Sequence, residues 1–265
     1  MKYSLLFLLL LASACKKKAD LPIWVLGHAG MGLEFSGSVY HANSMEAMTL
    51  ALETPNLDGV EMDVRMASDG TLWLSHDEIL DDETKSSGCV ANQIEVDLQA
   101  VFYKTLKNEQ LAKLENVNVF EKTNRFLLLD IKHTNFCENA VQDVNQFLTS
   151  LENWSATIDN ATSKSKMILS NPAWIAPFLQ KGWSVLFSCD DQEEIQQILI
   201  DYPQLTGFVI KNSACTKNQV TALKSAGKEI YLYEVRSPKA LKEVREKAPN
   251  GVMSDDVQGA IVEFK

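Results

Sequence analysis

The strongest constraint on the fold is a regular alternation of short apolar, β-rich runs with helical patterns that begins at Trp24. Strand–helix alternation repeated this often indicates a parallel sheet. Eight strands are predicted, at Trp24–His28, Gly59–Val64, Phe126–Ile131, Met167–Ser170, Ser184–Ser188, Gly207–Ile210, Ile230–Glu234 and Val252–Ser254. Eight strands in a chain of 265 residues favour an α/β fold of the closed, TIM-type (β/α)₈ barrel kind over a doubly wound open sheet.

The segments between these strands predict helices and one hairpin. The run Thr71–Ser75 follows the turn dipeptide Asp69-Gly70 and is expected to return as a hairpin strand. A helix is expected to start near Asn43, with Asn43 as its N-cap and Glu46 three residues further on. Five more helices are predicted, at Ala140–Leu151, Trp174–Gln180, Gln192–Ile200, Lys217–Ser225 and Pro238–Lys247.

The first fifteen residues have the pattern of an export signal. Met1-Lys2 is followed by the apolar run Leu5–Leu11 and by small residues before Cys15. The run is too short to span a membrane, which takes roughly 20 residues. The segment resembles a bacterial lipoprotein signal, in which the cysteine becomes the lipidated first residue; plain secretion with cleavage nearby is the alternative. This predicts a signal peptide at 1–15, a tether at 16–22 and a single domain at 23–265, exported and lipid-anchored through Cys15 on the periplasmic or cell-surface side of a bacterial membrane.

Export to an oxidising compartment favours disulfide bonds among the remaining cysteines. Four cysteines can be paired in three ways. We predict the arrangement with the two bonds Cys89–Cys137 and Cys189–Cys215. A CxxC spacing does not occur, which argues against a zinc site or a dithiol redox motif.

The formal net charge of −10 argues against a nucleic-acid partner, which would require a basic stripe. It does not exclude a small anionic substrate, because a bound cation can reverse the sign of a site locally.

The most informative segment for function is Gly59–Val64, because residues two apart on a strand share a face. Glu61 and Asp63 are therefore expected to point together into the barrel mouth, where the active sites of such barrels lie. Two neighbouring carboxylates repel one another, and a hard cation such as Mg²⁺ or Ca²⁺ would relieve the repulsion. The alternative is neutralisation by a nearby lysine or arginine.

The next strand ends in a third acid. Asp130 follows the apolar run Phe126–Leu129 and shares a face with Lys132. Asp130 is predicted to supply a third oxygen ligand, and Lys132 to contact an anionic group bound at the ion. A purely structural Asp130–Lys132 ion pair is the alternative.

Two histidines at strand ends are candidates for proton transfer, since imidazole titrates near neutral pH. His28 ends the first strand, and His76 follows the Thr71–Ser75 run. His41 and His133 are weaker candidates, because His41 falls in a predicted loop and the strand parity of His133 is opposite to that of Asp130.

Together these motifs resemble the glycerophosphodiester phosphodiesterases of the PI-PLC-like phosphodiesterase superfamily. The family order is HRG, P-E-N-T opening a helix, E-x-D on a strand, D-G, and a run ending in H-D. The corresponding pieces here are His28-Ala29-Gly30, His41-Ala42-Asn43-Ser44, Glu61-Met62-Asp63, Asp69-Gly70 and His76-Asp77. Leu129–Lys132 resembles the family's E-x-K strand, and Gly251–Asp255 resembles its last strand, which ends in T-D.

The resemblance implies a role for each matched residue. His28 and His76 would form the acid–base pair, and Lys132 would contact phosphate. Glu61, Asp63 and Asp130 would hold a divalent cation, Mg²⁺ or Ca²⁺. The implied reaction is hydrolysis of a glycerophosphodiester to sn-glycerol 3-phosphate and an alcohol.

The sequence also departs from the family pattern. The arginine after the first histidine is replaced by Ala29 and the helix-opening glutamate by Ala42; the third ligand is Asp130 rather than Glu. Tyr233 aligns with a family tryptophan that contacts substrate. Lys132, Arg65 or Lys211 are predicted to supply the phosphate contact that the missing arginine would make.

Two alternative functions remain open. Gly27-His28 and Asp130-Ile131-Lys132 also resemble the spider-venom sphingomyelinase D group, which acts on choline-bearing lipids such as lysophospholipids and forms cyclic phosphates. A lipoprotein that binds a ligand with weakened or lost catalysis is the second alternative.

Overall fold

A computed structural model of the protein describes residues 22–32, 39–117, 125–158 and 161–265. Eight parallel strands form the barrel and confirm the eight predicted strands to within a few residues. They are β1 (Trp24–Gly27), β2 (Gly59–Met66), β5 (Phe126–Ile131), β8 (Ser165–Leu169), β9 (Val185–Ser188), β10 (Gly207–Lys211), β11 (Glu229–Val235) and β12 (Gly251–Ser254). Four short strands lie outside the barrel: β3 (Leu72–Leu74), β4 (Ala112–Lys113), β6 (Thr134–Asn135) and β7 (Ala140–Val141).

The barrel closes because β1 is hydrogen-bonded on both sides. It pairs in parallel with β12, with Trp24 opposite Gly251, and with β2, with Leu26 opposite Gly59. The remaining neighbours follow chain order, from β2 through β5, β8, β9, β10 and β11 to β12. The fold is therefore the predicted TIM-type (β/α)₈ barrel.

Helices cover the outside of the barrel. Those described are α1 (Met45–Glu53), α2 (Glu95–Leu98), α3 (Val144–Ala156), α4 (Ala161–Lys164), α5 (Pro172–Gln180), α6 (Gln192–Asp201), α7 (Lys217–Ser225), α8 (Pro238–Lys247) and α9 (Val257–Phe264). The prediction of a helix at Ala140–Leu151 was wrong at its start. Ala140 and Val141 pair with β6 instead, and α3 begins after Asp143, whose side chain accepts from the backbone N–H groups of Asn145 and Gln146.

Two apolar layers surround the barrel strands, as the two faces of each strand require. Val60, Met62 and Val64 of β2 face outward and belong to the large core between strands and helices. A smaller cluster fills the barrel interior, with Leu26, Leu128, Ile168, Leu186, Val209, Tyr231 and Met253 as its buried members. The interior is therefore packed, and barrel active sites lie beyond such a core, at the carboxyl ends of the strands.

A long excursion between β2 and β5 extends one side of the barrel mouth. The predicted hairpin return is confirmed, since β3 runs antiparallel to β2 with Met66 opposite Leu72. Gly70 makes the turn at φ +86°, a conformation that glycine adopts without strain. The excursion has its own small core, which includes Trp73, Val90, Leu98 and Tyr103.

One of the two predicted disulfides is present. Cys89 of the excursion is bonded to Cys137, which lies shortly after β5. The predicted Cys189–Cys215 pairing was wrong: both are buried free thiols. The Cys189 Sγ instead donates to the Glu194 carboxylate at 2.9 Å, in the first turn of α6.

The predicted signal segment 1–15, including Cys15, and the tether up to residue 21 lie outside the described residues. None of the helices in the described ranges has the length and apolar character needed to cross a membrane.

Candidate active site

A change from apolar to polar side chains marks one end of the barrel interior. The inward residues Leu26, Leu128 and Tyr231 are followed two positions later by His28, Asp130 and Tyr233. Because residues two apart share a strand face, the apolar layer inside the barrel is followed directly by a polar layer at the carboxyl ends of the strands. These groups line a cavity of about 430 Å³ at the carboxyl ends of the strands, which we call the mouth cavity. Its lining residues are His28, Glu61, Asp63, His76, Asp130, Lys132, Ile168, Ser170, Ser188, Val209, Tyr233, Glu234, Arg236 and Met253.

Three carboxylates meet in this cavity. Glu61 and Asp63 lie two residues apart on β2, and Asp130 stands directly opposite Asp63 on the neighbouring strand β5. Oxygen atoms of all three lie within 4.8 Å of one another. Glu61 and Asp63 are each only 2% exposed. The strand geometry thus brings three acids from two neighbouring strands together, as the sequence predicted.

Backbone and amide donors fix the orientation of the two buried carboxylates. The backbone N–H of Ala29 donates to Glu61 Oε2 at 2.9 Å. Asn43 donates from Nδ2 to Asp63 Oδ2 at 2.8 Å, and its Oδ1 accepts from the Asp63 backbone N–H at 2.9 Å. Ala29 and Asn43 both have left-handed backbone, with φ +48° and +62°. Such conformations are uncommon outside glycine and concentrate at functional sites.

Asn43 therefore has a different function from the predicted one. The N-cap of α1 is Ser44, whose side chain accepts from the backbone N–H of Ala47. Asn43 lies one residue earlier, fully buried, and is turned towards Asp63. Sequence reasoning assigned its side chain to the helix because both residues favour the N-cap position.

Lys132 provides partial charge compensation for the acids. Its Nζ lies 2.8 Å from Asp63 Oδ1 and 2.7 Å from Asp130 Oδ2. Burial alone would raise the pKa of Asp63, but the charge of Lys132 and the hydrogen bonds from Lys132 and Asn43 lower it. Burial likewise disfavours the Lys132 ammonium, and the two carboxylates overcome that effect and raise its pKa.

Glu61 has no lysine or arginine partner, and its pKa reflects how strongly its charged form is disfavoured. Its closest cationic candidate is His28, whose Nε2 lies 3.8 Å from Glu61 Oε2. Burial and the neighbouring charge of Asp63 raise the pKa of Glu61 to about 8. A third negative charge is therefore disfavoured in this cluster unless a cation is added, and without one Glu61 is mostly protonated at neutral pH. Three convergent carboxyl groups whose full ionisation needs added positive charge fit Mg²⁺ or Ca²⁺, which prefer oxygen ligands.

His28 is held by a carboxylate that sequence reasoning did not assign a role. Its Nδ1 lies 2.8 Å from Oδ1 of Asp255, a residue that directly follows β12. Burial would lower the pKa of His28, but this hydrogen bond and the charges of Glu61 and Asp255 raise it to about 9. With Nδ1 engaged, Nε2 is directed towards the acid cluster. The sequence signals for Asp255 were its position at the end of the last strand and the resemblance of Gly251–Asp255 to the family's T-D ending.

His76 also lines the mouth cavity and is more accessible than His28, with 54% of its side chain exposed. Its Nδ1 lies 2.8 Å from Asp77 Oδ1. Arg65 donates to the His76 backbone carbonyl from Nε at 3.0 Å and from Nη2 at 2.7 Å. Arg65 also contacts Glu78 at 3.4 Å. Arg65 therefore supports the segment that carries His76 and does not itself line the cavity.

The remaining residues predicted to contact the substrate, Lys211 and Tyr233, lie on β10 and β11. Tyr233 lines the cavity and donates from its hydroxyl to Asp190 Oδ2 at 3.0 Å. Lys211 does not line it, and its Nζ lies 2.7 Å from Glu234 Oε1. Arg236, which sequence reasoning missed, is among the lining residues.

The two weaker histidine candidates do not line the mouth cavity. His41 stacks on Tyr103 with ring centroids 3.7 Å apart. His133 lies beside Trp174, at 5.7 Å between ring centroids.

Comparison with known proteins identifies the class. A sequence model of the glycerophosphoryl diester phosphodiesterase family matches residues 28–258. The match spans most of the chain and begins at His28. The chain therefore belongs to the glycerophosphoryl diester phosphodiesterase family, a family of phosphoric diester hydrolases. No curated protein matches the sequence significantly.

Solved structures agree with this fold at low sequence identity. A phosphodiesterase from Oleispira antarctica, in complex with the product sn-glycerol-3-phosphate, has a TM-score of 0.75 at 16% identity, covering 91% of this chain and 96% of that chain. A glycerophosphodiester phosphodiesterase from Thermotoga maritima has a TM-score of 0.70 at 18% identity, covering 92% and 98%. One from Agrobacterium tumefaciens has a TM-score of 0.69 at 15% identity, covering 91% and 99%. This chain is a divergent member.

Proposed function

We propose that the protein hydrolyses a glycerophosphodiester to sn-glycerol 3-phosphate and an alcohol, with a divalent cation held by Glu61, Asp63 and Asp130. The observation that carries the proposal is the convergence of three carboxylates within 4.8 Å in a cavity that two histidines and Lys132 also line. Family membership makes a phosphodiester the expected substrate. The Oleispira antarctica structure contains the product sn-glycerol-3-phosphate, and we infer the same product class for this chain.

Bound between the carboxylates, Mg²⁺ or Ca²⁺ would supply positive charge beside the substrate phosphate. Lys132 lines the cavity next to Asp63 and Asp130 and adds a second positive charge there. An ammonium held in place by two carboxylates is preorganised, so it stabilises developing phosphate charge without reorganising.

His28 and His76 act as the acid–base pair. Each has Nδ1 engaged by an aspartate, His28 by Asp255 and His76 by Asp77, which leaves Nε2 for the substrate. One imidazole removes the proton from the attacking oxygen, and the other donates a proton to the alcohol oxygen as its bond to phosphorus breaks.

The experiment is phosphorus NMR of products from glycerophosphocholine, glycerophosphoethanolamine and lysophosphatidylcholine, with EDTA-treated protein and added Mg²⁺ or Ca²⁺. We expect sn-glycerol 3-phosphate from the glycerophosphodiesters only when the metal is present. His28→Ala and His76→Ala should abolish it, whereas the matched control His41→Gln, at a histidine outside the cavity, should retain it. A cyclic phosphate from the lysophospholipid would favour the sphingomyelinase D-like alternative. Metal binding without turnover of any diester would favour a binding lipoprotein.

The proposed location follows from the signal pattern at 1–15: export and attachment to a bacterial membrane through lipid on Cys15. A tether of seven residues reaches at most about 25 Å. It joins the barrel beside β1 at Trp24, at the end opposite the mouth cavity. The attachment point and the mouth cavity therefore lie at opposite ends of the barrel. Labelling with radioactive palmitate should be lost in Cys15→Ala, and retention of the label would contradict the anchor.

A further inference from the structure

The end of β11 departs from strand alternation in a way that changes which side chains face the mouth cavity. Tyr231 and Tyr233 point into the barrel, so strict alternation would also place Val235 inside and Arg236 outside. Instead Val235 packs in the outer core and Arg236 lines the cavity.

A β-bulge causes this reversal. The register between β11 and β12 shifts between Leu232 and Val235. Within the shifted stretch Glu234 has φ +55°, a strained conformation for a residue with a side chain. Bulges of this kind redirect side chains next to active sites. The backbone strain at Glu234 is thus linked to the delivery of Arg236 to the cavity.

Asp255 then fixes the guanidinium at the cavity edge. Arg236 Nε lies 3.0 Å from Asp255 Oδ2, and the other oxygen of the same carboxylate contacts His28. Asp255 is 2% exposed, so this anchor is rigid, whereas 45% of the Arg236 side chain remains exposed. Arg236 and His28 therefore contact the same carboxylate. The exposed part of the Arg236 side chain is accessible to a ligand in the mouth cavity.

The cavity otherwise offers few cationic groups to an anion. Ala29, after His28, has no side-chain donor, and Arg65 and Lys211 do not line the cavity because they are engaged by the His76 carbonyl and by Glu234. Among the described residues the lining contains Lys132 and Arg236 as permanent cations. Lys132 lies between two carboxylates, whereas a guanidinium fork matches two phosphate oxygens at once.

We propose that Arg236 is a substrate-binding residue that contacts the phosphate group from the β11 side of the cavity. The proposal rests on the proposed function only in taking a phosphodiester as substrate. A guanidinium fixed by Asp255 and presented by the bulge would bind the phosphate of the diester and of the product alike. Arg236 would thus affect affinity for phosphate groups in general, independently of the alcohol.

The test is calorimetric titration of the intact protein, in buffer with Mg²⁺, with inorganic phosphate and with sn-glycerol 3-phosphate. In Arg236→Gln the dissociation constants of both anions should rise about tenfold or more, as expected for loss of a charge-assisted bidentate contact. Arg236→Lys should fall between native and Arg236→Gln, since it keeps charge without the fork. Arg245→Gln is the matched control, because Arg245 forms a similar exposed ion pair with Glu263 on α9, outside the cavity lining. It should bind as the native protein does.

Several outcomes would overturn the proposal. Unchanged anion affinity in folded Arg236→Gln or Arg236→Lys would do so. A fall in kcat with unchanged anion affinity and an altered pH profile would show that Arg236 acts only through Asp255 and His28. Failure of the native protein to bind either anion would also contradict it. Absence of diester turnover, with phosphate binding that Arg236→Gln loses, would defeat the proposed function and leave the Arg236 assignment standing.

Discussion

The imidazole of His28 and the carboxylate of Asp255 are joined by a contact of 2.8 Å between residues 227 positions apart. His28 follows the first barrel strand and Asp255 follows the last, so the contact exists only because the barrel closes. It engages Nδ1 and leaves Nε2 towards Glu61. The orientation of one predicted catalytic group thus depends on ring closure of the whole fold.

Removing that contact should impair catalysis and, because the same carboxylate anchors Arg236, should also weaken phosphate binding. Asp255→Asn is expected to lower kcat about 10- to 100-fold, because an amide cannot hold the imidazole in the same tautomer and orientation. Steady-state kinetics on a glycerophosphodiester measures the change. Asp201→Asn, at the exposed end of α6, is the control and should match the native enzyme. A kcat in Asp255→Asn within twofold of native would show that the contact is not used.

The burial of Glu61 beside Asp63 should cost stability in the absence of metal, because its raised pKa forces the carboxyl to take up a proton on folding at neutral pH. Glu61→Gln keeps the acceptor for the Ala29 N–H and removes that cost, so it should raise the free energy of unfolding by about 1 kcal/mol or more in EDTA at pH 7. Metal should stabilise the native protein and not the variant, since a ligand that binds only the folded state adds to its stability. Thermal melts with EDTA and with Mg²⁺ or Ca²⁺ measure both effects. Exposed Glu246→Gln is the control, and a metal-free Glu61→Gln protein less stable than native would contradict the charge argument.

The Cys89–Cys137 disulfide should contribute substantially to stability. It closes a loop of 48 residues that joins the excursion to the segment after β5. The chain-entropy model gives a stabilisation of about 4 kcal/mol for such a loop. Urea unfolding of Cys89→Ser/Cys137→Ser should show a loss of that order, with Cys215→Ala as the control. Equal midpoints for native and double variant would indicate that the bond constrains nothing.

The Cys189 thiol should stay protonated and unreactive in the folded protein. Burial and the hydrogen bond to Glu194 raise its pKa from the ordinary 9 to about 12. A thiol with a raised folded pKa stabilises the fold fully below pH 9, and this contribution is lost as the pH rises from 9 towards 12. Alkylation followed by peptide mapping measures this: at pH 8 we expect labelling only after denaturation. Rapid labelling of native Cys189 at pH 8, or a mapped Cys189–Cys215 disulfide, would contradict the structure.

The sequence was sufficient to predict the barrel and half of the residues that line the mouth cavity, because both depend largely on short-range periodicity. Alternation along β2 places Glu61 and Asp63 on the same face of the strand. Because barrel sites lie at the carboxyl ends of strands, His28 and Asp130 could also be predicted as site residues. These inferences do not require knowledge of distant contacts. The structure confirms the barrel and gathers these residues in one cavity.

What sequence reasoning missed depends on tertiary contacts. Asn43 and Ser44 have similar N-cap preferences, and only the position of Asp63 decides that Asn43 turns away from the helix. Arg236 required knowledge of a bulge that reverses strand parity. The thiol of Cys189 is oriented by Glu194 in the following helix, which cysteine spacing does not reveal.

Diffraction at the manganese edge from crystals grown with Mn²⁺ tests the central claim most directly. We expect an anomalous peak within about 2.5 Å of oxygens from Glu61, Asp63 and Asp130, in the cavity that His28 and His76 line. The peak should be absent from crystals of Glu61→Gln. A native structure with Mn²⁺ bound elsewhere, or with Lys132 still between Asp63 and Asp130 and no metal beside them, would contradict it.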